Sequence, residues 1–243
     1  MKILVCISHV PDTTTRIKFV GNQLDTNGVQ FIIGPYDDYA LARAVELKTD
    51  LNATVTVLNV GKADTEPTIR KALAIGADDA IRVDAEPTDA WFVANQIFAI
   101  AKQENYDMIL MGRESSDYNG GIVHGLVAEM LGWPSIAPCM KLEISGNTAK
   151  LAREIEGGKE TLQVNLPFVA GCQEPIAEWK IPNMRGIMSA RTKPLKVVAP
   201  VAVEQATVYQ AYDLPKGRTE CKMFKVEEIP ALVAALKNEA KAL

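Results

Sequence analysis

Few side chains in this sequence have types that could perform chemistry, and they gather in two places. The candidates for a converging site are Ser8, His9, Ser115, Ser116, Asp117 and His124. Their spacing does not pair a nucleophile with a general base, as an enzyme would require. His9 could act as a general base or as a structural hydrogen-bonding group, and His124 could donate to a phosphate or simply pack. The residues alone therefore indicate no catalytic site.

The longest stretch with a binding pattern is residues 108–133. An apolar run, Met108–Met111, predicts a buried strand that ends at Gly112. A polar loop with Gly120-Gly121 follows, and apolar residues then recur at helical spacing from Ile122 to Leu131. A strand, a glycine loop and a helix start can present backbone N–H groups and a helix dipole to a phosphate. An ordinary turn whose glycines relieve crowding would look the same, so both interpretations stay open.

The composition of this loop bears on its chemistry. It contains no lysine, and Arg113 is its one cation. Phosphoryl transfer generally relies on Lys or Arg together with Mg²⁺. Backbone amides, assisted by Arg113, would therefore have to compensate the charge of a phosphate. This composition favours holding a nucleotide over transferring a phosphoryl group.

The overall composition limits the classes of function. The chain has 243 residues, 48% of them hydrophobic, and a formal net charge of −4, which argues against a nucleic-acid partner. Its apolar runs fall short of the ~18 residues that a membrane span needs. No signal-peptide pattern precedes the first strand, so we expect a bacterial cytoplasmic protein. A metal site or disulfide framework is not expected, because the four cysteines are scattered at Cys6, Cys139, Cys172 and Cys221.

Strand and helix patterns alternate from residue 1 to residue 135. Strands are predicted at 3–8, 53–60, 80–83 and 108–111, and helices at 39–48, 68–75, 90–102 and 122–131. This order is typical of a mostly parallel, Rossmann-like sheet with helices on both faces, a three-layer α/β/α fold. A hairpin is also expected to pair Ile17–Val20 with Val29–Ile33, around Gly21-Asn22 and Asn27-Gly28.

Ligands in such sheets bind at the carboxyl ends of the strands. The segments after strands are expected to converge there: Cys6–His9, Gly34–Asp37, Val60-Gly61 and Gly112–Gly121. This convergence predicts a nucleotide site more strongly than any single glycine does. Asp37 and Asp38 precede a helix and are interpreted as its N-terminal caps and as partners of its dipole, rather than as catalytic groups.

The pattern changes after residue 136. Short strands at 140–145, 149–155 and 161–165, joined by glycine turns, predict a small antiparallel section, and 166–170 is one more strand. An exposed loop at 174–194, an extended segment at 197–210 and a helix at 226–243 are predicted to follow. We therefore expect an α/β nucleotide-binding domain over 1–195 and a C-terminal arm with a helix over 196–243.

Apolar residues alternate with cations over residues 179–193. Exposed Met and Ile beside Arg and Lys are typical of an adaptable protein-binding surface. The composition alone favours the simpler interpretation, a surface loop with its apolar side chains tucked beneath it.

Several segments together resemble the β subunits of electron transfer flavoproteins, over nearly the whole chain. The opening strand 2–7 with Val10-Pro11-Asp12, the segment 72–78 (ALAIGAD) and the strand 107–113 (DMILMGR) are similar to that family. The later combination is more specific: Arg153–Gly158 (REIEGG), Leu166-Pro167, Glu174-Pro175 and Gly186–Ala190 (GIMSA).

The resemblance implies an adenine nucleotide alpha hydrolase-like fold and an αβ heterodimer whose FAD is held mainly by the α subunit. The β subunit would be a non-catalytic electron carrier subunit that binds a structural AMP. By position, the AMP site would include Cys6, Ser8, Gly34, Pro35, Tyr36, Asp37, Val60, Gly61, Ser115, Asp117, Asn119, Gly120, Gly121, Ile122, Val123 and His124. The surface that docks flavoprotein dehydrogenases, such as acyl-CoA dehydrogenase, would include Lys180, Ile181, Met184, Arg185, Ile187, Met188 and Arg191. A membrane quinone oxidoreductase would be the acceptor.

The sequence departs from the family pattern at several of these positions. Ile122-Val123-His124 replaces a Gln-(Thr/Val)-Gly triplet, Met184 replaces an anchoring leucine, and Arg185 replaces a common proline. Two alternatives stay open. One is an electron-bifurcating β subunit with a second FAD that exchanges hydride with NADH. The other is a stand-alone nucleotide-binding protein of the universal-stress type, which would not need the C-terminal arm.

Overall fold

The computed structural model of the chain describes residues 1–21, 23–213, 216–217 and 221–243. The chain divides into two compact units, 1–209 and 210–243. Within the described ranges, every helix is too short or too polar to cross a membrane.

The first unit is built on one nine-stranded sheet with the order β11-β10-β9-β12-β8-β1-β6-β7-β13. Two further two-stranded pairs, β2-β5 and β3-β4, lie outside it. The strands are β1 (Lys2–Cys6), β2 (His9–Pro11), β3 (Phe19–Val20), β4 (Gln23–Leu24), β5 (Phe31–Ile33), β6 (Thr54–Val60), β7 (Asp79–Val83), β8 (Met108–Gly112), β9 (Ser135–Ser145), β10 (Thr148–Ile155), β11 (Gly158–Asn165), β12 (Phe168–Cys172) and β13 (Leu195–Val198).

Helices cover both faces of this sheet. They are α1 (Pro35–Leu51), α2 (Glu66–Ile75), α3 (Ala90–Ala101), α4 (Val123–Leu131) and α5 (Met184–Ala190), whereas α6 (Ile229–Asn238) belongs to the second unit. Alternate residues of β1 enter two cores, since Ile3 and Val5 pack with α1 and α2, whereas Leu4 and Cys6 pack with α3 and α4. A central parallel strand with two covered faces has this pattern. The three-layer α/β/α prediction is confirmed.

The antiparallel section belongs to the same sheet. β10 pairs antiparallel with both β9 and β11, and β12 pairs parallel with both β9 and β8. The predicted strands and glycine turns are therefore confirmed, but they extend the parallel sheet because β12 joins the two parts.

The excursion between β1 and α1 differs from the predicted hairpin. Phe19–Val20 pairs with Gln23–Leu24, and Phe31–Ile33 pairs instead with His9–Pro11. Gly21 has a φ of 62°, a conformation that favours glycine and permits a tight turn there. Asn22, the other residue of that predicted turn, lies outside the described ranges. β3 therefore pairs with β4, its neighbour in the sequence. β5, which was expected to pair with β3, pairs with β2 instead.

The segment 174–194 is not simply a loop, because it contains α5. Asn183 begins this helix by accepting a hydrogen bond from Gly186 N at 2.8 Å, which is a standard N-cap. β13 then pairs parallel with β7, so the compact unit continues past the predicted boundary at residue 195 and reaches Tyr209. The second unit contains a 3-10 turn, Val226–Glu228, and then α6, which has no buried residue.

Candidate functional site

The carboxylate of Asp37 connects the ends of two central strands. It accepts hydrogen bonds from Ser8 N at 2.9 Å, Ser8 Oγ at 2.5 Å and Gly112 N at 2.7 Å. The expected capping role is wrong, because α1 begins earlier, at Pro35, and has no side-chain cap. The expected position beside the helix dipole is confirmed, since both Asp37 and Asp38 lie in the first turn of α1. Both carboxylate oxygens of Asp37 are used to hold β1 and β8 together beside the first turn of α1.

Burial dominates the electrostatics of the two acidic residues. It raises the pKa of Asp37 to about 6, although hydrogen bonds from Ser8 and Gly112 act to lower it. Burial likewise raises the pKa of Asp38 to about 6, and Lys71, with Nζ 3.9 Å from Asp38 Oδ2, opposes the shift. A charged carboxylate is disfavoured where water is excluded. Asp37 therefore has the environment of a structural carboxyl group, shielded from a ligand by its own hydrogen bonds.

Two glycines permit this close packing. A Cβ at Gly34 would clash with Asp37 Oδ2 and Ser8 Oγ. A Cβ at Gly112 would lie 2.7 Å from Asp37 Oδ1 and from Tyr36 Cβ. The strand-end glycines thus serve the contact between strands and α1, and they form a rigid floor for whatever binds above.

The loop that follows β8 is anchored at its first residue. The guanidinium of Arg113 lies 5.0 Å from the centre of the Tyr36 ring, a cation–π contact. It also donates to Glu114 Oε1 at 2.9 Å and to Gln173 Oε1 at 2.9 Å. Gln173 directly follows β12. It was not among the site residues predicted from the sequence, although the tendency of ligand-site residues to follow parallel strands would have indicated it. These contacts mean that Arg113 positions the loop.

The tip of the loop presents backbone rather than side-chain groups. Asn119 and Gly121 adopt positive φ values of 50° and 62°, and Asn119 N donates to Ser115 O at 2.9 Å. Asp117 accepts a hydrogen bond from Tyr118 N at 2.9 Å. A Cβ at Gly120 would meet open space, so this glycine is not required by internal packing. The turn curls back on itself and leaves room above Gly120.

The helix α4 begins where the loop ends. Its N-cap is Ile122, which cannot cap with its side chain, so the first amides, of Val123 and His124, lack a side-chain acceptor there. His124 Nδ1 lies 3.3 Å from Ser135 Oγ, and burial lowers the pKa of this imidazole. His124 therefore packs between α4 and the sheet as a neutral ring, and its backbone amide faces the helix start.

Cys6 and Val60 end adjacent strands and pack in the same core as α3 and α4. Burial raises the pKa of the Cys6 thiol, so it is not a thiolate nucleophile. The fold therefore brings β1, β6 and β8 side by side at their carboxyl ends, with Ser8 and 34–37 toward α1 and with Cys6 and Val60 toward α3. Gly61 follows β6 and packs against Thr65 and Asn59.

The described residues contain no cluster of three or more His, Cys, Asp or Glu placed to hold a metal ion.

The predicted docking residues lie on and before α5. Met184, Met188 and Ile181 are 74%, 69% and 76% exposed, so the expectation of tucked apolar side chains is wrong for them. Arg185 and Arg191 are also exposed, Ile187 is 41% exposed, and Lys180 Nζ lies 3.9 Å from Glu46 Oε1. The result is a short helix with two methionines directed to solvent.

The inner side of α5 is held against α2. Arg70 Nη1 donates to Ala190 O and to Lys193 O, both at 2.9 Å, and Lys193 Nζ donates to Leu73 O at 2.8 Å. A Cβ at Gly186 would clash with the backbone oxygen of Ala74. Close backbone approach therefore requires glycine at 186, and the exposed methionines stand on a fixed base.

The comparisons with known proteins agree with this architecture. Residues 21–203 match the family described as the electron transfer flavoprotein domain. The chain is 32% identical, over the full length of both proteins, to "Electron transfer flavoprotein subunit beta" of Bacillus subtilis. It is 31% identical over the full length to the protein of the same name in Bradyrhizobium diazoefficiens, and 29% identical to that of Homo sapiens, covering 98% and 97% of the two chains. The chain therefore belongs to the electron transfer flavoprotein beta-subunit family.

Proposed function

We propose that this chain is the β subunit of a heterodimeric electron transfer flavoprotein that holds a structural AMP and docks flavoprotein dehydrogenases. Electrons would pass through an FAD held mainly by the α subunit. The observation that carries the AMP part is the run of backbone amides from Gly120 to His124, at an exposed glycine turn and a helix start without a side-chain cap, beside the buried and hydrogen-bonded Asp37. It has the character of a site that holds an anion.

The residues present fit an adenine nucleotide. The amides of Gly120–His124 would receive the phosphate, as glycine loops and helix starts do. Cys6 and Val60 offer a buried apolar wall for the base. The strand-end residues Ser8, Gly34, Pro35, Tyr36 and Asp37 would support the nucleotide from the α1 side, with Asp37 acting through Ser8 and Gly112. Gly61, Ser115, Asp117, Asn119, Ile122 and Val123 complete the predicted set.

The same geometry supports a holding rather than a catalytic role. His9 Nδ1 lies 2.8 Å from Thr68 Oγ1, but Thr68 is only 4% exposed within α2. Burial lowers the pKa of both imidazoles, and in the described part of the chain neither is hydrogen-bonded to a carboxylate. Because an orienting carboxylate is absent from both the His9–Thr68 and the His124–Ser135 pair among the described residues, neither has the arrangement of an activated nucleophile. Redox chemistry would then belong to the flavin of the complex.

The exposed methionines of α5 support docking of a dehydrogenase. Met side chains adapt to the shape of a partner, and apolar anchors in the middle of an interface supply most of the binding energy. The α subunit would be contacted through the C-terminal arm, whose exposed apolar residues include Met223, Val226, Ile229 and Val233. An acyl-CoA dehydrogenase is the proposed type of donor, and a membrane quinone oxidoreductase the proposed acceptor.

The test is to purify the chain alone and together with its α subunit, and to count the nucleotides that each releases on denaturation. The proposal predicts a colourless chain that releases one AMP, and a yellow complex with one FAD and one AMP per heterodimer. Flavin in the isolated chain, or a second FAD per heterodimer, would overturn the structural AMP and favour the electron-bifurcating form. A chain that forms no complex with the α subunit would instead favour the stand-alone nucleotide-binding protein.

A further inference from the structure

A strap formed by residues 199–209 is fastened across α3. The side chain of Gln96 is 1% exposed, and it holds both backbone groups of one strap residue. Gln96 Nε2 donates to Val201 O at 3.0 Å, and Gln96 Oε1 accepts from Val201 N at 2.8 Å. A buried amide that satisfies a donor and an acceptor of the same residue fixes the strap's path, because losing it would leave buried polar groups unpaired.

A second fastening lies at the start of α3. Asp89 Oδ1 caps the helix by accepting from Phe92 N at 2.7 Å. Its other oxygen, Oδ2, accepts from Ala206 N at 2.7 Å and from Thr207 N at 2.8 Å. One carboxylate of 7% exposure therefore serves the helix and the strap together. Charge-assisted bonds of this kind are among the stronger ones in proteins.

The strap ends on the loop that follows β8. The Tyr209 ring stacks on the Tyr118 ring with centroids 4.7 Å apart and planes inclined by 22°. Tyr118 immediately precedes Asn119, which together with Gly121 has a positive φ and shapes the turn of this loop. The strap therefore extends beyond its contact with Asp89 and also contacts the loop that follows β8.

We infer that Tyr209 is a positioning residue for the nucleotide loop, which it holds in its binding conformation through Tyr118. This inference rests on the proposed AMP site and names a residue that orders it from outside. The tip of the loop, from Asp117 to Ile122, is exposed, so its order must come from contacts such as this stack. A loop ordered in advance pays less entropy when the ligand binds, and the ligand then leaves more slowly.

The test uses the full-length chain loaded with radiolabelled AMP and chased with unlabelled AMP. Tyr209→Ala is expected to accelerate AMP release by about two- to tenfold, the range that an aromatic pair supports. Tyr209→Phe keeps the ring and should restore the wild-type rate. Gln96→Ala loosens the strap further back and should accelerate release less. Val208→Ala, at an exposed neighbouring position, is the matched control and should leave the rate unchanged.

The outcomes separate the two proposals. A wild-type chain that binds no AMP overturns the proposed nucleotide site and the inference together. A wild-type chain that binds AMP, with Tyr209→Ala releasing it at the same rate, overturns the inference alone. The unfolding midpoint without AMP is measured for each variant to detect a merely structural role. If Tyr209→Phe has the wild-type midpoint but releases AMP as fast as Tyr209→Ala, the stacked ring does not position the loop and the inference is refuted.

Discussion

The loop 113–122, the proposed nucleotide loop, is exposed at its tip, and α5, the proposed docking helix, is exposed on its outer side. Both are fixed at the base. The loop is fixed by the Asp37–Gly112 hydrogen bond and by the contacts of Arg113 with Tyr36 and Gln173. The helix is fixed by Arg70 and by the close approach of Gly186 to Ala74. They differ in what they present, since the loop offers backbone amides and the helix offers two methionine side chains.

The difference fits the two kinds of recognition that we propose for one scaffold. Backbone amides bind an anion well only if their directions are preset, so the loop is constrained along its length, by Asp37 below and by Tyr209 at its tip. An apolar anchor needs reach and adaptability rather than direction. For α5 it is therefore enough to fix the backbone and leave Met184 and Met188 free to move. The following predictions probe this contrast, from the largest expected effect to the smallest.

The largest effect is expected at the floor of the nucleotide loop. At about pH 4.5, Asp37→Asn should lower the free energy of unfolding by about 3 kcal/mol, because the new amide replaces one buried acceptor with a donor. Denaturant unfolding of the two proteins measures the difference. Asp117→Asn, an exposed carboxylate in the same loop, is the control and should change stability little. A small loss for Asp37→Asn would mean that the three hydrogen bonds do not hold β1 to β8.

The penalty of Asp37→Asn should then shrink as the pH rises. The pKa of Asp37 is raised to about 6 in the fold, so between about pH 4 and 6 the folded protein holds a proton that the unfolded chain releases. Its contribution to stability is present at low pH and is lost as the pH rises through 6. Between about pH 4 and 7 the difference in the free energy of unfolding between wild type and Asp37→Asn should decrease by about 2 kcal/mol. A constant difference across this range would contradict the raised pKa of Asp37.

A moderate effect is expected at the base of the docking helix. Gly186→Ala should cost about 1–2 kcal/mol, because overpacking against Ala74 exceeds the gain in helix propensity. Gly125→Ala in α4 is the matched control, since a Cβ there meets nothing within 4 Å, and it should stabilise the fold. Equal effects of the two changes would show that α5 is not tightly held by α2. Thermal unfolding with both variants decides between the outcomes.

The smallest change in stability is expected at the tip of α5. Met188→Ala should alter the free energy of unfolding by less than about 0.5 kcal/mol, because the side chain is already in solvent. Its effect should appear only as a slower transfer of electrons from a partner dehydrogenase to the complex. Ile155→Ala, an apolar residue exposed on β10, is the control and should leave that rate unchanged. Equal rates for both variants would remove Met188 from the docking surface.

The sequence by itself determined the fold class and the family. Alternating apolar runs and helical periodicity are local signals, so strands such as Met108–Met111 and helices such as the one after Ile122 were predictable. Glycine positions after strands likewise indicated the edge of the sheet at which we propose a ligand site. The roles of His9 and His124 stayed open because the residues next to a histidine in the sequence do not show which side chains its ring will contact in the fold.

Only the tertiary structure decided how the site is held. Asp37 is hydrogen-bonded to residues 29 and 75 positions away, and Asp89 to residues 117 and 118 positions away. No local pattern encodes such pairs, because parallel strands and a returning chain bring them together only after the layers have packed. The helix α5 combines both kinds of signal. Its N-cap at Asn183 is local, but its position depends on the close approach of Gly186 to α2. The sequence thus specified the central strands and helices, and long-range packing specified which carboxylates hold them in place.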